Sequence, residues 1–390
     1  MGAATILIGI LLMIIIHEGG HFVAAKAFGM KATEAFIGFG PTIWSFRRGE
    51  TEYGIKAIPL GGYVRIIGMN PFEEVDPDDE GRTYRVAPFW QKAVVVLAGI
   101  ISHFVMAIIL FTIVSLAYGV VVTDEAGDIL PTTTIRAVST SVEIVSGETV
   151  PAPASIAGVE PGDVVVGFNS ITVETWDQFT ELTSANPGES IVITVGRDDA
   201  AIRMPTTLAP VERTQFDDQG EPITDADGEV VTAVEGYFGV TPEIETEQPG
   251  LIGAFVAGIQ DFGRAFVQSL IGLWQLVVNF PQIVAATFGG GDEVLDTVRP
   301  VSPIGLARIA GALESNLVLL AIVNVFVGVL NLVPLYPLDG GHFAVALYEK
   351  IRGRAPDVRK LMPLAAAVFI FIVTIGLLGI YLDIVRPLQL

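Results

Sequence analysis

The sequence predicts a polytopic α-helical membrane protein with about four transmembrane helices, a membrane-associated β-hairpin region and an extracytoplasmic α+β domain. The first observation behind this fold class is composition. Of the 390 residues 51% are hydrophobic, and the mean hydropathy of +0.59 is high for a soluble protein. The second is four apolar stretches long enough to cross a bilayer. The third is an acidic segment between the second and third stretches, whose hydrophobic pattern is that of short strands.

The apolar stretches divide the chain into seven consecutive parts. The predicted parts are 1–30 (first transmembrane helix), 31–92 (cytoplasmic loop with β-hairpins), 93–122 (second transmembrane helix), 123–250 (extracytoplasmic domain), 251–312 (amphipathic surface helices), 313–346 (third transmembrane helix) and 347–390 (basic cytoplasmic loop and fourth transmembrane helix). The spans themselves are expected over Ala3–Phe28, Ala93–Val122, Leu317–Leu338 and Leu364–Ile384.

The first span carries the motif His17-Glu18-Gly19-Gly20-His21 in otherwise apolar sequence. Positions i and i+4 share one face of a helix, so both imidazoles can reach the same metal ion. The H-E-x-x-H pattern is typical of zinc bound by two histidines, with the glutamate as general base. Ionisable groups inside a membrane segment are costly and usually mark a functional site, so metal binding is favoured over incidental polar residues lining a helix bundle.

Two absences narrow this interpretation. The sequence contains no cysteine, so a metal must be held by histidines and carboxylates. The first span lacks a basic segment before it and a small-residue cleavage site after it, so we do not expect a cleaved signal peptide.

Charge sorts the loops between the spans. The first loop contains eight Lys and Arg residues, whereas 121–250 contains 24 of the 43 acidic residues and four of the 22 basic ones. The short loop before the fourth span contains five basic residues, Lys350, Arg352, Arg354, Arg359 and Lys360. The positive-inside rule therefore places the first and third loops in the cytoplasm and the middle loop outside. The acidic middle segment makes nucleic-acid binding implausible.

The first loop is expected to form β-hairpins. Its short apolar runs, broken by glycine and proline, lie at 35–41, 43–46, 53–58 and 61–66. So many large apolar side chains beside a membrane favour hairpins that dip into it, with a soluble β-hairpin as the alternative. A strand edge near the metal could pair with an extended substrate. Residues 71–81 are expected to form a solvated acidic loop.

The middle segment has the pattern of a small β-rich domain. Strands are expected at 134–138, 163–168 and 190–197, with a turn at 157–163 and a short helix at 175–183. Residues 211–250 are acidic and rich in glycine and proline, with 237–240 as their most ordered part. The apolar stretch 251–280 is interrupted by polar residues, and we expect it to form helices on the outer membrane surface.

The third span ends in a segment that can complete the metal site. Pro334 and Pro337 interrupt the helix just before Asp339, which the topology places at the depth of the two histidines. A catalytic zinc site has three protein ligands and one open position, so Asp339 is the favoured third ligand. His342 is the competing candidate, but it lies three residues closer to the basic loop.

Three other polar side chains lie in the second and third spans. His103 could be a metal ligand, but it has no partner at ligand spacing, so helix packing or a hydrogen bond across the bundle is favoured. Asn324 and Asn331 are seven residues apart and share a helix face. Interhelical hydrogen bonding is the alternative to a functional role for both.

The pairing of His17–His21 with the sequence N-L-V-P-L-Y-P-L-D-G-G at 331–341 resembles the bacterial site-2 proteases. These are intramembrane zinc metalloproteases of peptidase family M50, related to the regulator of sigma-E protease. Further matches are Gly61-Gly-Tyr-Val-Arg65, a PDZ-like segment around 157–163, and Pro300–Gly305. The resemblance covers nearly the whole chain.

The resemblance implies one Zn²⁺ per chain, bound by His17, His21 and Asp339, with Glu18 as the catalytic base. It implies that Asn331 holds the substrate or stabilises the oxyanion. It also implies a membrane-dipping hairpin in the first loop and an extracytoplasmic PDZ-like domain that filters substrates by size. One departure is His103, which occupies a position where many relatives have asparagine.

The function expected from these features is hydrolysis of peptide bonds within transmembrane segments, by a multi-pass protein of the bacterial inner membrane. By resemblance the substrates would be anti-sigma factors or remnant signal peptides, and membrane lipid is the other expected partner. A catalytically silent PDZ-bearing receptor or scaffold is the first alternative, which an intact Glu18 disfavours. A metal transporter is the second, and the few ionisable residues in the second and fourth spans disfavour it.

Overall fold

The structure, a computed structural model, describes residues 2–70, 73–124, 129–215, 223, 230–289, 295, 298–312 and 316–387. It divides into a helical unit (Met1–Gly119 with Gln248–Leu390) and a β-rich unit (Val120–Glu247). Parts of the sequence predictions lie outside the described residues. These parts are 71–72 of the acidic loop, 125–128, 216–222 and 224–229 of the extracytoplasmic domain, 290–294 and 296–297 of the surface helices, 313–315 of the third transmembrane segment, and the terminal residues 1 and 388–390.

The secondary structure alternates between long helices and short strands. The helices are α1 (Gly2–Ala27), α2 (Phe89–Tyr118), α3 (Pro153–Ala157), α4 (Trp176–Ser184), α5 (Leu251–Val278), α6 (Phe280–Thr287), α7 (Pro303–Ala312), α8 (Asn316–Leu332), α9 (Asp339–Arg352) and α10 (Met362–Val385). The strands are β1 (Ala32–Arg48), β2 (Thr51–Ile66), β3 (Val120–Val121), β4 (Pro131–Val138), β5 (Ser141–Glu143), β6 (Thr149–Pro151), β7 (Val164–Phe168), β8 (Ile171–Thr172), β9 (Ser190–Arg197), β10 (Ala200–Thr207), β11 (Ala209–Thr214), β12 (Thr232–Tyr237), β13 (Val240–Ile244) and β14 (Thr246–Glu247).

Three helices among the described residues, α1, α2 and α10, are long and apolar enough to cross a membrane. The pair α5 and α6 passes the same test jointly, with a bend of 67° at the break between them. Length and apolarity therefore allow three or four spans, as a multi-pass membrane protein requires.

The third predicted span, Leu317–Leu338, differs from the structure at its end. Helix α8 stops at Leu332, and a non-helical turn follows before α9 begins at Asp339. Pro334 and Pro337 explain the break, since neither can donate a backbone hydrogen bond and each clashes with a continuing helix. The apolar residues of the turn made the span look longer in the sequence than the helix is.

Helix α2 lies at the centre of the helical unit, because small residues let its neighbours approach it closely. A Cβ built on Gly258 of α5 would lie 3.0 Å from the backbone nitrogen of Thr112. Gly328 of α8 similarly faces the ring of Phe104. The buried cluster between these helices contains Ala107, Phe111, Ala321, Val325 and Val329, with Phe262 and Phe266 of α5 packed against it.

Helix α5 therefore packs along α2 and α8 through one face. Its buried residues are small, Ala254, Ala257, Gly258 and Ser269, and follow helical spacing. The sequence predicted amphipathic surface helices over 251–312 and did not predict that α5 packs against α2 and α8. The polar side chains that suggested a surface position, such as Arg264, lie on other faces.

The first loop folds as a hairpin of β1 and β2 whose two strands bend, so that four short paired segments lie side by side. Strands β1 and β2 have 17 and 16 residues. Residues 34–37 pair with 52–55 on one side and with 62–65 on the other, and residues 44–48 pair with 51–55. Large apolar side chains remain exposed on it, including Phe39, Ile43, Trp44 and Ile58. Such a surface fits an apolar environment better than water.

The β-rich unit contains one main sheet and the short helices α3 and α4. Its strand order is β10-β9-β7-β4-β13, with β8 paired to β7. The structure confirms the predicted strands at 134–138, 163–168 and 190–197 and the helix at 175–183. Phe238, in the predicted ordered part of 211–250, is 2% exposed and packs against Phe179 of α4.

Candidate metal centre

Three side chains converge in the helical unit, His17 and His21 from α1 and Asp339 from the start of α9. The two Nε2 atoms lie 3.2 Å apart, and Asp339 Oδ2 lies 3.4 Å from His17 Nε2 and 3.3 Å from His21 Nε2. Tetrahedral zinc with bonds of about 2.0–2.1 Å places neighbouring ligand atoms roughly 3.3–3.4 Å apart. The triangle of donors therefore has the size of one face of a zinc tetrahedron.

The chemistry of the triangle also fits a cation. Asp339 Oδ2 is buried and has no hydrogen-bond partner among the described residues. Leaving such an atom unsatisfied is costly, and a carboxylate oxygen facing two imidazole nitrogens is a typical zinc ligand set. The residues present thus fit one zinc ion with a fourth position left open.

His21 is oriented by a backbone carbonyl of the neighbouring helix. Its Nδ1 lies 2.8 Å from the Val95 carbonyl oxygen of α2. Because a carbonyl only accepts, Nδ1 carries the proton and Nε2 keeps its lone pair for a metal. This orienting bond could not be read from the sequence, since any residue in place of Val95 offers the same carbonyl.

Two glycines bring α1 and α2 close enough to form the site. A Cβ on Gly20 would lie 2.6 Å from the Ala98 carbonyl oxygen. A Cβ on Gly99 would lie 2.8 Å from His17 Cε1 and still closer to the His21 ring. The imidazoles therefore occupy space that a side chain at position 99 would fill.

Asp339 is held by the turn that ends α8. The two glycines that follow it pack their α-carbons against the backbone of the same turn, and a Cβ on Gly341 would lie 2.5 Å from the Tyr336 nitrogen. Gly340 packs in the same way against the Val333 carbonyl oxygen. The L-D-G-G sequence thus forms a compact corner, with Asp339 in the first turn of α9.

Glu18 lies beside the triangle and lines a different space. A cavity of about 390 Å³ lies between α1 and the hairpin, lined by Glu18 and mostly apolar side chains such as Phe22, Phe36 and Trp44. A Cβ on Gly62 of β2 would lie 3.4 Å from Glu18 Cγ. The carboxylate side chain therefore faces a space that an extended apolar peptide segment could enter.

His103 lies next to the centre without joining it. Its ring centroid is 4.7 Å from that of His17, and its Nδ1 lies 3.2 Å from Asn324 Oδ1. The Asn324 amide nitrogen donates to the Leu320 carbonyl oxygen at 2.8 Å, which leaves its oxygen to accept from His103. The structure thus supports the hydrogen bond across the bundle that the sequence favoured for His103.

The remaining two candidates differ in their surroundings. His342 is not part of the metal-binding group formed by described residues, and its Nδ1 lies 3.4 Å from the Tyr336 hydroxyl. Asn331 is half-buried near the end of α8, and the described part of the chain offers its amide no hydrogen-bond partner. Its amide is therefore available to another molecule.

The turn of the hairpin is tied to the end of α1 by an ionic network centred on Glu50, which lies outside the spans. Arg82 donates two hydrogen bonds to Glu50, of 2.8 and 2.9 Å, and Lys26 donates another. Arg82 and Lys26 lower the pKa of Glu50 to about 2. No pattern in the sequence signals this network, which holds β1 and β2 beside the helix that carries Glu18.

Comparison with known proteins adds a family to this geometry. The sequence profile of peptidase family M50 matches residues 5–375. The zinc metalloprotease Rip1 of Mycobacterium tuberculosis is 33% identical over 100% of this chain and 98% of its own length. Rip1 of Mycolicibacterium smegmatis is 31% identical over the same shares. The zinc metalloprotease RasP of Oceanobacillus iheyensis is 26% identical over 88% of this chain and 90% of its own length. Since the profile and these relatives match along nearly its whole length, the chain belongs to peptidase family M50.

Proposed function

We propose that His17, His21 and Asp339 hold the zinc ion of an intramembrane protease and that Glu18 is its general base. The observation that carries the proposal is the triangle of donor atoms, 3.2–3.4 Å on each edge, together with Glu18, which follows His17 in the chain and lines a cavity of about 390 Å³. The chain is a zinc metalloprotease of the site-2 type, a multi-pass membrane protein that acts on membrane-bound protein substrates.

Zinc, when bound, supplies a Lewis acid that polarises the scissile carbonyl. Glu18 accepts a proton from the attacking water and returns it to the leaving amine nitrogen. Asn331, whose amide has no partner among the described residues, donates a hydrogen bond to the developing oxyanion or to the substrate backbone. Val95 and Gly99 keep the two imidazoles in place while this happens.

A transmembrane substrate must present an unwound segment, because the carbonyls of a helix are already hydrogen-bonded. Among the described residues no further strand pairs with β1 or β2, and both strands line the cavity that Glu18 also lines. An unwound segment can pair with a strand edge through its backbone while apolar side chains enter the cavity. We propose this strand addition as the way the hairpin presents the scissile bond.

The substrates we propose are single-span anti-sigma factors and remnant signal peptides, cleaved in the bacterial inner membrane. The basic first and third loops support a metal centre towards the cytoplasm, and the acidic β-rich unit is proposed to lie outside as a PDZ-like filter of substrate size. A catalytically silent scaffold would not need a buried triangle of metal-ligand atoms, so we prefer the protease.

Zinc removal tests the proposal in the purified full chain in detergent, with a single-span membrane protein as substrate. Treatment with a zinc chelator should abolish cleavage, and adding zinc back should restore it. Mass spectrometry of the products should place the cut within the transmembrane segment. Cleavage that survives complete zinc removal, or a cut outside the membrane segment, would contradict the proposal.

A further inference from the structure

A second cavity adjoins the turn that leads into Asp339. Its volume is about 580 Å³, and it is lined by the turn 334–336, residues of α9 between 341 and 348, the loop 354–361 and Leu364 of α10. Neither His17, His21 nor Glu18 lines it. This cavity is therefore distinct from the metal centre and from the cavity that Glu18 lines.

Part of the lining of this cavity is apolar. Leu335 of the turn, Val345 of α9 and Leu364 of α10 are among its lining residues. Leu364 is 47% exposed, and α10 is the least buried of the three candidate spans, with 11% of its most apolar stretch buried. The cavity thus lies beside a helix surface that faces lipid in a membrane.

The rim of the cavity is cationic. Arg354 and Lys360 line it, and neither forms an ion pair with a carboxylate of the described residues within 4.0 Å. Asp357 also lines the rim, where its side chain accepts a hydrogen bond of 3.2 Å from the Arg359 backbone nitrogen. Lys350 and Arg352 in the last turn of α9 and Arg359 in the loop are close in sequence and add positive charge to this region.

We propose that this cavity binds one anionic phospholipid, with the phosphate at Arg354 and Lys360 and an acyl chain along Leu335, Val345 and Leu364. Basic pockets between membrane helices suit anionic headgroups, and the apolar walls give an acyl chain a surface to cover. A free phosphate ion would use the rim alone and leave these walls exposed. The combination of walls and rim therefore selects a lipid over a soluble phosphate.

The position of the site gives the lipid a structural role. The segment 334–336 lines the cavity and leads directly into Asp339, and Gly341, two residues after Asp339, lines it as well. A bound lipid would pack against the corner that holds the carboxylate. The binding itself does not depend on catalysis, so it can be measured on a protein that cleaves nothing.

The test uses the full chain reconstituted in phosphatidylcholine vesicles that contain a trace of spin-labelled lipid. Electron paramagnetic resonance compares the motionally restricted fraction of labelled phosphatidylglycerol with that of labelled phosphatidylcholine. We expect a preference for phosphatidylglycerol that falls about fivefold or more in the double variant R354Q/K360Q. The double variant K350Q/R352Q removes the same charge from residues that do not line the cavity, and should keep most of the preference.

Two further arms distinguish a lipid in the cavity from a diffuse charge effect and from a soluble anion. Filling the apolar wall with Ala344→Phe should also reduce the preference, although it changes no charge. Inorganic phosphate, added at constant ionic strength, should leave the restricted signal unchanged. Equal losses in both double variants would show a diffuse attraction to the loop, and displacement by phosphate would show a soluble anion site. Either result would overturn the proposal.

Discussion

The two adjacent glycines of the H-E-G-G-H motif have different surroundings. Gly20 faces α2, where a Cβ would lie 2.6 Å from the Ala98 carbonyl oxygen, whereas a Cβ on Gly19 would meet nothing within 4 Å. The motif therefore depends on a small residue at position 20 for reasons of packing. At position 19 a residue with a Cβ would meet no steric obstacle.

We expect Gly20→Ala to push α1 away from α2 and reduce the zinc bound per purified chain by half or more. The contact is with backbone, which cannot move aside as a flexible side chain can. Zinc content, measured by inductively coupled plasma mass spectrometry, checks this. Gly19→Ala is the matched control and should bind zinc as the wild type does. Equal zinc content in both variants would contradict the packing account.

His103 is expected to support the His17 ring. The ring of His103 packs 4.7 Å from it and is fixed by Asn324, so His103→Ala should weaken zinc binding by about tenfold. Competition with a zinc-sensitive chelator measures the affinity directly. His342→Ala should leave the affinity near the wild-type value, because His342 lies outside the donor triangle. The reverse order of effects would make His342 the ligand and refute the assignment.

For individual residues, the sequence predicted the three side chains of the donor triangle but not the contacts that hold them in position. The spacing of His17 and His21 and the prolines before Asp339 are local signals, and the structure brings these three residues together. The contacts that orient these side chains join distant parts of the chain. The Val95 carbonyl lies 74 residues from His21, and Asn324 lies 221 residues from His103. Neither contact leaves a pattern in a single sequence.

Among the elements, α10 has few neighbours, and a buried carboxylate anchors one end of it. Asp383 is 1% exposed and accepts hydrogen bonds from Arg299 (3.1 Å) and from the backbone nitrogens of Ser302 (2.8 Å) and Gly305 (3.1 Å). The last two belong to the segment that begins α7. Asp383 therefore joins α10 to α7. Its hydrogen bonds give a structural role to Pro300–Gly305, the segment that resembles the site-2 proteases in sequence.

Replacing this anchor should destabilise the helical unit. Asp383→Ala leaves Arg299 without its carboxylate and removes the acceptor of the Ser302 and Gly305 backbone nitrogens, which costs about 3–5 kcal/mol of unfolding free energy. Thermal unfolding in detergent should show a clearly lower midpoint. Asp261→Ala breaks an ion pair with Arg264, whose side chain is 75% exposed, and should shift the midpoint little. Similar midpoints for the two variants would argue against the anchor.

In the β-rich unit, a buried ion pair joins the start of β7 to β9. Asp163 is 1% exposed, and Arg197 donates bonds of 2.6 and 2.7 Å to its two oxygens. The Arg197 guanidinium lowers the pKa of Asp163 below its ordinary value of 3.8. Because the folded pKa is the lower one, the pair stabilises the fold fully above the ordinary value, and this stability is lost as pH falls through the folded pKa.

The stability difference between wild type and Asp163→Asn should therefore be constant from pH 7 to about pH 5 and shrink below about pH 4. Thermal unfolding of the full chain, followed through that pH range, measures the difference. Glu160→Gln serves as control, since that side chain is 66% exposed and should contribute little at any pH. A difference that grows towards acid pH would contradict the sign of the shift.

For the whole molecule, composition and charge patterning indicated a membrane protein with an acidic β-rich insertion, and the structure divides at similar boundaries. The extent of the third span was harder to predict, because hydropathy does not distinguish the helix α8 from the apolar turn after it. The packing of α5 on α2 also could not be predicted from the sequence. Its small buried residues signal close approach only when the partner helix is known.

The most direct measurement compares wild type with Glu18→Gln, both purified as full chains in detergent. Cleavage of a single-span substrate and bound zinc are measured on the same samples, with Glu189→Gln in the β-rich unit as control. We expect one zinc ion in all three proteins, and cleavage by wild type and control but not by Glu18→Gln. Equal cleavage by Glu18→Gln would contradict the assignment of Glu18 as the base.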